Sequence, residues 1–189
     1  KRQREDSLKK LNAIKLHASQ IRAAFYVPWQ PASLTDLQKN GDKLNTIYPE
    51  WFFIDPQTYK LQPRIDSAGL ASMKQKRLSI QPIFTNFNSN KKARGIGDFD
   101  GQLAHTIISN SKIRKSIIQQ LVDTLSYYKL QGINIDFEEL DEKNNELFTR
   151  LLKELYEALH NKDLLMTVDV SPKNEDYDYK DLTPVSDYV

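Results

Sequence analysis

Asn134, Asp136 and Glu138 alternate with Ile133, Ile135 and Phe137 in the stretch GINIDFEEL, residues 132–140. A period of two is the mark of a strand, whose successive side chains leave opposite faces. One face here is apolar. The other carries an amide and two acids. Carboxylates two positions apart on a strand sit about 6.5–7 Å apart along the backbone, so their side chains can meet. Like charges at that range raise one pKa, and one carboxyl then keeps a proton near neutral pH. A protonated carboxyl held in place is the general acid that glycoside hydrolysis requires. Glu138 lies nearer the end of the strand and is the better acid, with Asp136 supporting it from below. Glu139 and Asp141 read as caps or solvating groups of the helix that follows. A carboxylate site for Mg or Ca is the competing chemistry. His17, His105 and His160 are scattered and cysteine is absent, so no metal and no cofactor is expected.

Other elements must position that strand. IRAAFYV (21–27) is a strand candidate closed by Pro28, and SLTDLQKNG (33–41) is a helix with Ser33 or Thr35 as N-cap and Gly41 as its stop. WFFID (51–55) is a second strand, DSAGLASMKQK (66–76) a helix, and LSIQPIF (78–84) a third strand with an awkward internal Pro82. From Ser111 to Lys129 the residues Ile113, Ile117, Leu121 and Leu125 recur every fourth position, with Ile118 and Val122 beside them. That is the apolar stripe of an amphipathic helix. After the acidic strand the same pattern returns over about 144–160, through Leu147, Leu151, Leu155 and Leu159 with Phe148 and Leu152. LLMTVDV (164–170) is a fifth strand and SDYV (186–189) opens a sixth.

Strands alternating with helices imply parallel strands joined by right-handed crossovers. An open doubly wound sheet would carry a glycine-rich phosphate loop after its first strand, but Pro28 and Pro31 stand there. The α/β reading is therefore a (β/α)8 TIM-type barrel, present as its first five to six units and cut at its C-terminus. In such a barrel Ile133, Ile135 and Phe137 face the helices. Asn134, Asp136 and Glu138 face the interior and climb toward the C-terminal mouth, where active sites sit. The same geometry nominates substrate-binding residues at the ends of the other strands: Tyr26, Trp29, Asp55, Asn86, Asp169 and Ser171, with Asn134 counted among them.

The chain has 189 residues, 39% hydrophobic and 28% charged, with a net charge of +2. Nothing in that balance calls for nucleic acid, and no apolar run of about 18 residues crosses a bilayer. The N-terminal stretch is polar and shows no signal-peptide pattern. Residues 1–20 form a separate basic stem or helix. Within 1–15, six Lys or Arg face Glu5 and Asp6, a local balance of +4. The sharper alternative to a solvated tail is a juxtamembrane stem. Residues 21–189 form the barrel domain.

GINIDFEE resembles the fourth-strand signature of glycoside hydrolase family 18, the chitinase and spore-cortex glycosylase group, whose usual form is Asp-Gly-x-Asp-x-Asp-x-Glu. Gly132, Asp136 and Glu138 match it, while Gln131 and Asn134 replace the first two acids. LLMTVDVSPK and YDYKDLTPVSDYV are similar to what leads through that family's fifth strand toward its sixth. FTNFN (84–88) stands where the family has Ser-x-Gly-Gly, and the sixth-strand tyrosine would fall beyond Val189. AFYVPWQPAS resembles family-18 modules fused to a polysaccharide deacetylase and a membrane glycosyltransferase in bacteria. The resemblance implies hydrolysis of N-acetylglucosamine-containing polysaccharide by a retaining, substrate-assisted route. Glu138 is then the acid/base, and Asp136 orients the acetamide. It further implies fused deacetylase or glycosyltransferase domains in the full-length protein and a membrane-anchored or cell-surface place outside the cytoplasm. A non-catalytic glycan-binding module and a structural domain of a larger synthase are the alternatives.

Overall fold

Proline 82 has no N–H to donate, and the third strand splits around it. The computed structural model describes residues 20–91, 97–141 and 144–189; most of the basic stem, residues 1–19, lies outside them. β5 (Ser79–Ile80) precedes the proline and β6 (Ile83–Thr85) follows it. The second strand is split in the same way, into β2 (Thr46–Pro49) and β3 (Phe52–Ile54), so it starts earlier than residue 51. β1 (Ala23–Tyr26) pairs with β2 and β2 with β5; β3 pairs with β6, β6 with β9 (Gly132–Asp136) and β9 with β10 (Leu165–Val168), all parallel. In chain order the wall therefore runs through five neighbouring courses: 23–26, 46–54, 79–85, 132–136 and 165–168. A parallel bridge from Thr167 to Tyr188 lays the start of a sixth beside the fifth.

This is the consecutive parallel order of a barrel wall, left open: no closed barrel exists among the described residues. The sheet is also mixed, where only parallel pairs were expected. β4 (Leu61–Pro63) turns back antiparallel on β3, and β7 (Phe87–Asn88) pairs antiparallel with β8 (Asp98–Phe99).

Helix α1 (Pro31–Asn40) begins two residues before Ser33, with Pro31 in its first turn, where a missing N–H costs nothing. The expected caps are therefore wrong: Gln30 holds the N-cap position without a side-chain bond. Ser33 Oγ accepts from Val27 N–H at 3.3 Å instead. Helix α2 (Ser67–Gln75) is capped by Asp66, which accepts from Ala68 and Gly69 N–H. Helix α3 (Gly101–Ser109) was not anticipated. Asn110 ends it and caps α4 (Ser111–Tyr128), accepting from Lys112 and Ile113 N–H. Helix α5 (Asn145–His160) buries Phe148, Leu151, Leu152, Leu155 and Leu159. Its N-cap position is Asn144, so Glu139 and Asp141 are not its caps. They take left-handed φ of 57° and 67° in the turn that leaves β9. Arg114 ties the helices together: Nε and Nη2 donate to Glu154 at 2.9 Å each, and Nη1 to the Ile108 carbonyl at 2.8 Å.

Ile133, Ile135 and Phe137 are fully buried, and the Phe137 ring lies 5.2 Å from Phe84 and 6.0 Å from Phe148, centroid to centroid. Burying such a side chain contributes about 1.5–3 kcal/mol. A slip of one residue would expose all three and drive the acids into the helix layer.

Gly132 sets the close approach of β9 and β10. A Cβ there would stand 2.4 Å from the Leu165 carbonyl oxygen. Gly132→Ala is expected to destabilise the domain by about 1–3 kcal/mol, the usual cost of overpacking. The shift of the urea midpoint measures it; an unchanged midpoint would show that the two strands are not in this register.

Candidate active site

A cavity of about 320 Å³ opens at the C-terminal ends of the parallel courses. Four carboxylates line it: Glu50, Asp136, Glu138 and Asp169, together with Phe25, Ser171 and Tyr177. Asp136 and Glu138 arrive there because their strand buries its other face. Asp169 arrives by register. Thr167 pairs with Asn134 and Val168 with Ile135, so Asp169 stands beside Asp136 on the neighbouring strand, its N–H bonded to the Ile135 carbonyl at 2.8 Å.

Asn134 is 1% exposed and lies one layer below the acids. Its Nδ2 donates to Thr167 Oγ1 at 2.9 Å and to Asp169 Oδ1 at 3.1 Å. It therefore acts on a carboxylate, as an interior neighbour of the cavity rather than part of its lining. Asn86 is fully buried and clamps the Glu138 peptide from both sides. Its Nδ2 donates to the Glu138 carbonyl at 2.8 Å, and its Oδ1 accepts from Glu138 N–H at 3.0 Å. The Tyr177 hydroxyl holds the next carbonyl back, that of Phe137, at 2.8 Å, and Asp176 accepts from Leu140 N–H at 3.1 Å. Every peptide that aims Glu138 is thus pinned by a side chain from another course. Glu139 itself is exposed, and its carbonyl sits where a Cβ on Gly101 would come within 2.2 Å.

Burial pushes the Asp136 carboxyl up to about 7, helped by the charges of Glu138, Asp169 and Glu50 in that order. Glu138 is raised by burial, then by Glu139 and Asp98. Burial raises Asp169 too, against the Asn134 hydrogen bond that lowers it, and it raises Glu50. The expectation that Asp136 forces a proton onto Glu138 needs correcting: the strong push falls on Asp136, the more deeply buried of the two.

Of the expected substrate-binding residues only Asp169 and Ser171 line the acidic cavity: Asn134 and Asn86 are buried behind it, and Tyr26, Trp29 and Asp55 lie away from it. The Tyr26 ring is 2% exposed, and its hydroxyl donates to the Asp66 carboxylate at the start of α2. On β1 it is Phe25, of opposite parity, that reaches the cavity, 60% exposed. Asp55 is spent on its own turn, accepting from Gln57 N–H at 3.0 Å, Thr58 N–H at 2.7 Å and Gln62 Nε2 at 2.7 Å. It lines a second, smaller cleft of about 190 Å³ with Phe53, Gln62 and Arg64. Trp29 is exposed, its ring 6.4 Å from Phe53 at the edge of that cleft. Glu50 and Tyr177 were missed. Glu50 sits in the bend between β2 and β3, and Tyr177 in the long loop after β10, where no periodicity marks a residue as inward.

The family model for glycosyl hydrolases family 18 matches residues 22–189. An uncharacterized glycosylase of Bacillus subtilis, YvbX, is 25% identical over 173 residues, 87% of this chain and 48% of the relative. A class V chitinase from Pseudomonas fluorescens superposes with a TM-score of 0.80 at 24% identity, covering 90% of this chain and 52% of that one. The spore cortex-lytic enzyme SleL of Bacillus cereus gives 0.77 at 18% identity, covering 88% and 39%. The chain thus spans about half the length of these relatives or less.

The raised Asp136 carboxyl has a consequence for stability. Unfolded, it ionises near 3.9; folded, near 7. Between those values the folded state keeps a proton that the unfolded state has released, so its contribution to stability falls as the pH rises through the window. Urea unfolding of wild type and Asp136→Asn across that range is expected to show wild type losing ground to the variant up to about pH 7 and holding level above it. Wild type gaining on the variant with rising pH would contradict the burial of this carboxyl.

Proposed function

The chain belongs to glycosyl hydrolases family 18, and from that premise we propose that it hydrolyses glycosidic bonds in polysaccharide containing N-acetylglucosamine. The observation that carries this reading is the meeting of Asp136 and Glu138 in one cavity at the C-terminal ends of parallel strands, with the apolar face of their strand locked into the core. The full-length protein acts with retention, using the substrate's own acetamide as nucleophile. Protonated Glu138 delivers its proton to the glycosidic oxygen as the bond to the anomeric carbon breaks. The acetamide oxygen bonds to that carbon from the other side, giving an oxazolinium ion. Asp136 orients the acetamide and offsets the growing positive charge. Water, deprotonated by Glu138, then opens the ring. This route is an exception to the usual carboxylate pair.

The substrate class is supported by the chitinases and the spore cortex-lytic enzyme to which the chain is similar. The same likeness supports a site of action outside the cytoplasm. A basic stem at residues 1–20 would suit attachment at the cell surface, and fused deacetylase or glycosyltransferase domains would suit a polysaccharide-processing protein. Among the described residues no helix is long and apolar enough to cross a membrane.

Glu138→Gln in the full-length protein is expected to slow hydrolysis of N-acetylglucosamine oligomers by about 10²–10⁴-fold, the usual contribution of a general acid. Calorimetric binding of the same oligomers should persist, because the amide keeps the shape and a donor. A variant as fast as wild type would overturn the assignment. A wild-type protein that binds these glycans and cleaves none would make the domain a binding module.

A further inference from the structure

The acidic cavity holds four carboxylates, and no lysine, arginine or histidine lines it among the described residues. Charge of one sign in a half-buried space is costly, and a shared proton is a means of relief that the lining carboxyls themselves supply. Which pair holds that proton is a matter of geometry. β9 ends at Asp136, and Glu138 stands two residues beyond it, where the chain has left the ladder for the turn. Asp136 and Asp169 occupy facing positions on adjacent parallel strands, about 4.8 Å apart. Both follow the pair Asn134 and Thr167, whose side chains touch, so both point to the same interior face. The other neighbouring strand offers Asp136 only the neutral Thr85.

We propose that Asp136 and Asp169 form a carboxyl pair across β9 and β10 that shares one proton, with Asn134 as the residue that positions Asp169. This deepens the proposed function and rests on it for its catalytic meaning, not for its existence. Asn134 carries no charge at a place where an acid would crowd Asp136 from below on its own strand. Its amide instead donates to Asp169 Oδ1. That bond favours the ionised form of Asp169 and leaves the proton with Asp136. The other ionisable groups around Asp136 are Glu138 just past the end of β9, Glu50 from the β2–β3 bend and Tyr177 from the loop after β10; Tyr48 faces Asp169 from β2. None of them brings positive charge.

The pair gives the reaction a charge that appears when it is needed. With the proton on Asp136, the net charge of the pair is −1 and sits on Asp169. As the oxazolinium ion forms, the O–H bond at Asp136 breaks and one forms at Asp169. The negative charge then lies on Asp136, beside the new cation. No proton enters from or leaves to solvent in this shift.

The test uses the full-length protein without substrate, carrying ¹³C-labelled aspartate, and follows the carboxyl titration by NMR. Wild type is expected to show one aspartate titrating near pH 7. It should vanish in Asp136→Asn and move down by about one pH unit or more in Asp169→Asn, as for loss of a neighbouring like charge. The double variant Asn134→Asp/Asp169→Asn moves the second carboxylate onto the strand of Asp136 and is expected to bring the midpoint back up. A midpoint unmoved in Asp169→Asn, or one that the double variant fails to raise, would overturn the pair. In the active protein the alkaline limb of kcat/KM should follow the same order. If no glycan is cleaved, the proposed function fails while the titration still decides the pair.

Discussion

Burial of Ile133, Ile135 and Phe137 between the sheet and helices α4 and α5 is the constraint on which the rest depends. With period two, fixing the apolar face fixes the polar one. The strand has no freedom to turn its acids to solvent without lifting three fully buried side chains out of the core. The carboxylates are therefore held at the mouth by energy spent elsewhere. The same parity places Asn134 in the interior, under them, where it reaches Thr167 and Asp169.

Acids gathered without a cation oppose folding, and the structure answers with hydrogen bonds to the backbone that carries them. Asn86 takes both polar groups of the Glu138 peptide, Tyr177 takes the Phe137 carbonyl, and Asp176 takes the Leu140 N–H. Beyond that clamp the chain passes through left-handed φ at Glu139 and Asp141, conformations that non-glycine residues enter at a cost. The third course, the loop after β10 and the turn after β9 thus act as a single support. Their purpose is stiffness: a general acid misplaced by an ångström loses much of its effect.

Much of this was legible in the sequence because it is local. The alternation in 132–138, the fourfold stripe of α4 and that of α5 each declare an element and its inner face. The candidate acids followed from the alternation alone, and Asp169 from its place at a strand end. What was not legible is either parity at a strand end or pairing over distance. Tyr26 and Phe25 are neighbours at the end of β1, and only the packing of α2, whose cap Asp66 binds Tyr26, decides which faces the cavity. Asn86 and Glu138 are 52 residues apart. Asp55 shows the opposite failure: an acid after a strand is as well suited to holding its own turn, and here it does. Helix α3 escaped because its apolar residues fill barely two turns before Asn110 interrupts them.

The most direct test is a crystal structure of the full-length Glu138→Gln protein with a bound N-acetylglucosamine oligomer. The expected result is one sugar seated in the acidic cavity, its acetamide oxygen beneath the anomeric carbon, its acetamide N–H on Asp136, and the residue 138 side chain within hydrogen-bond reach of the glycosidic oxygen. An oligomer lying along Trp29 and Phe53 at the second cleft, with its scissile bond remote from residues 136 and 138, would contradict it.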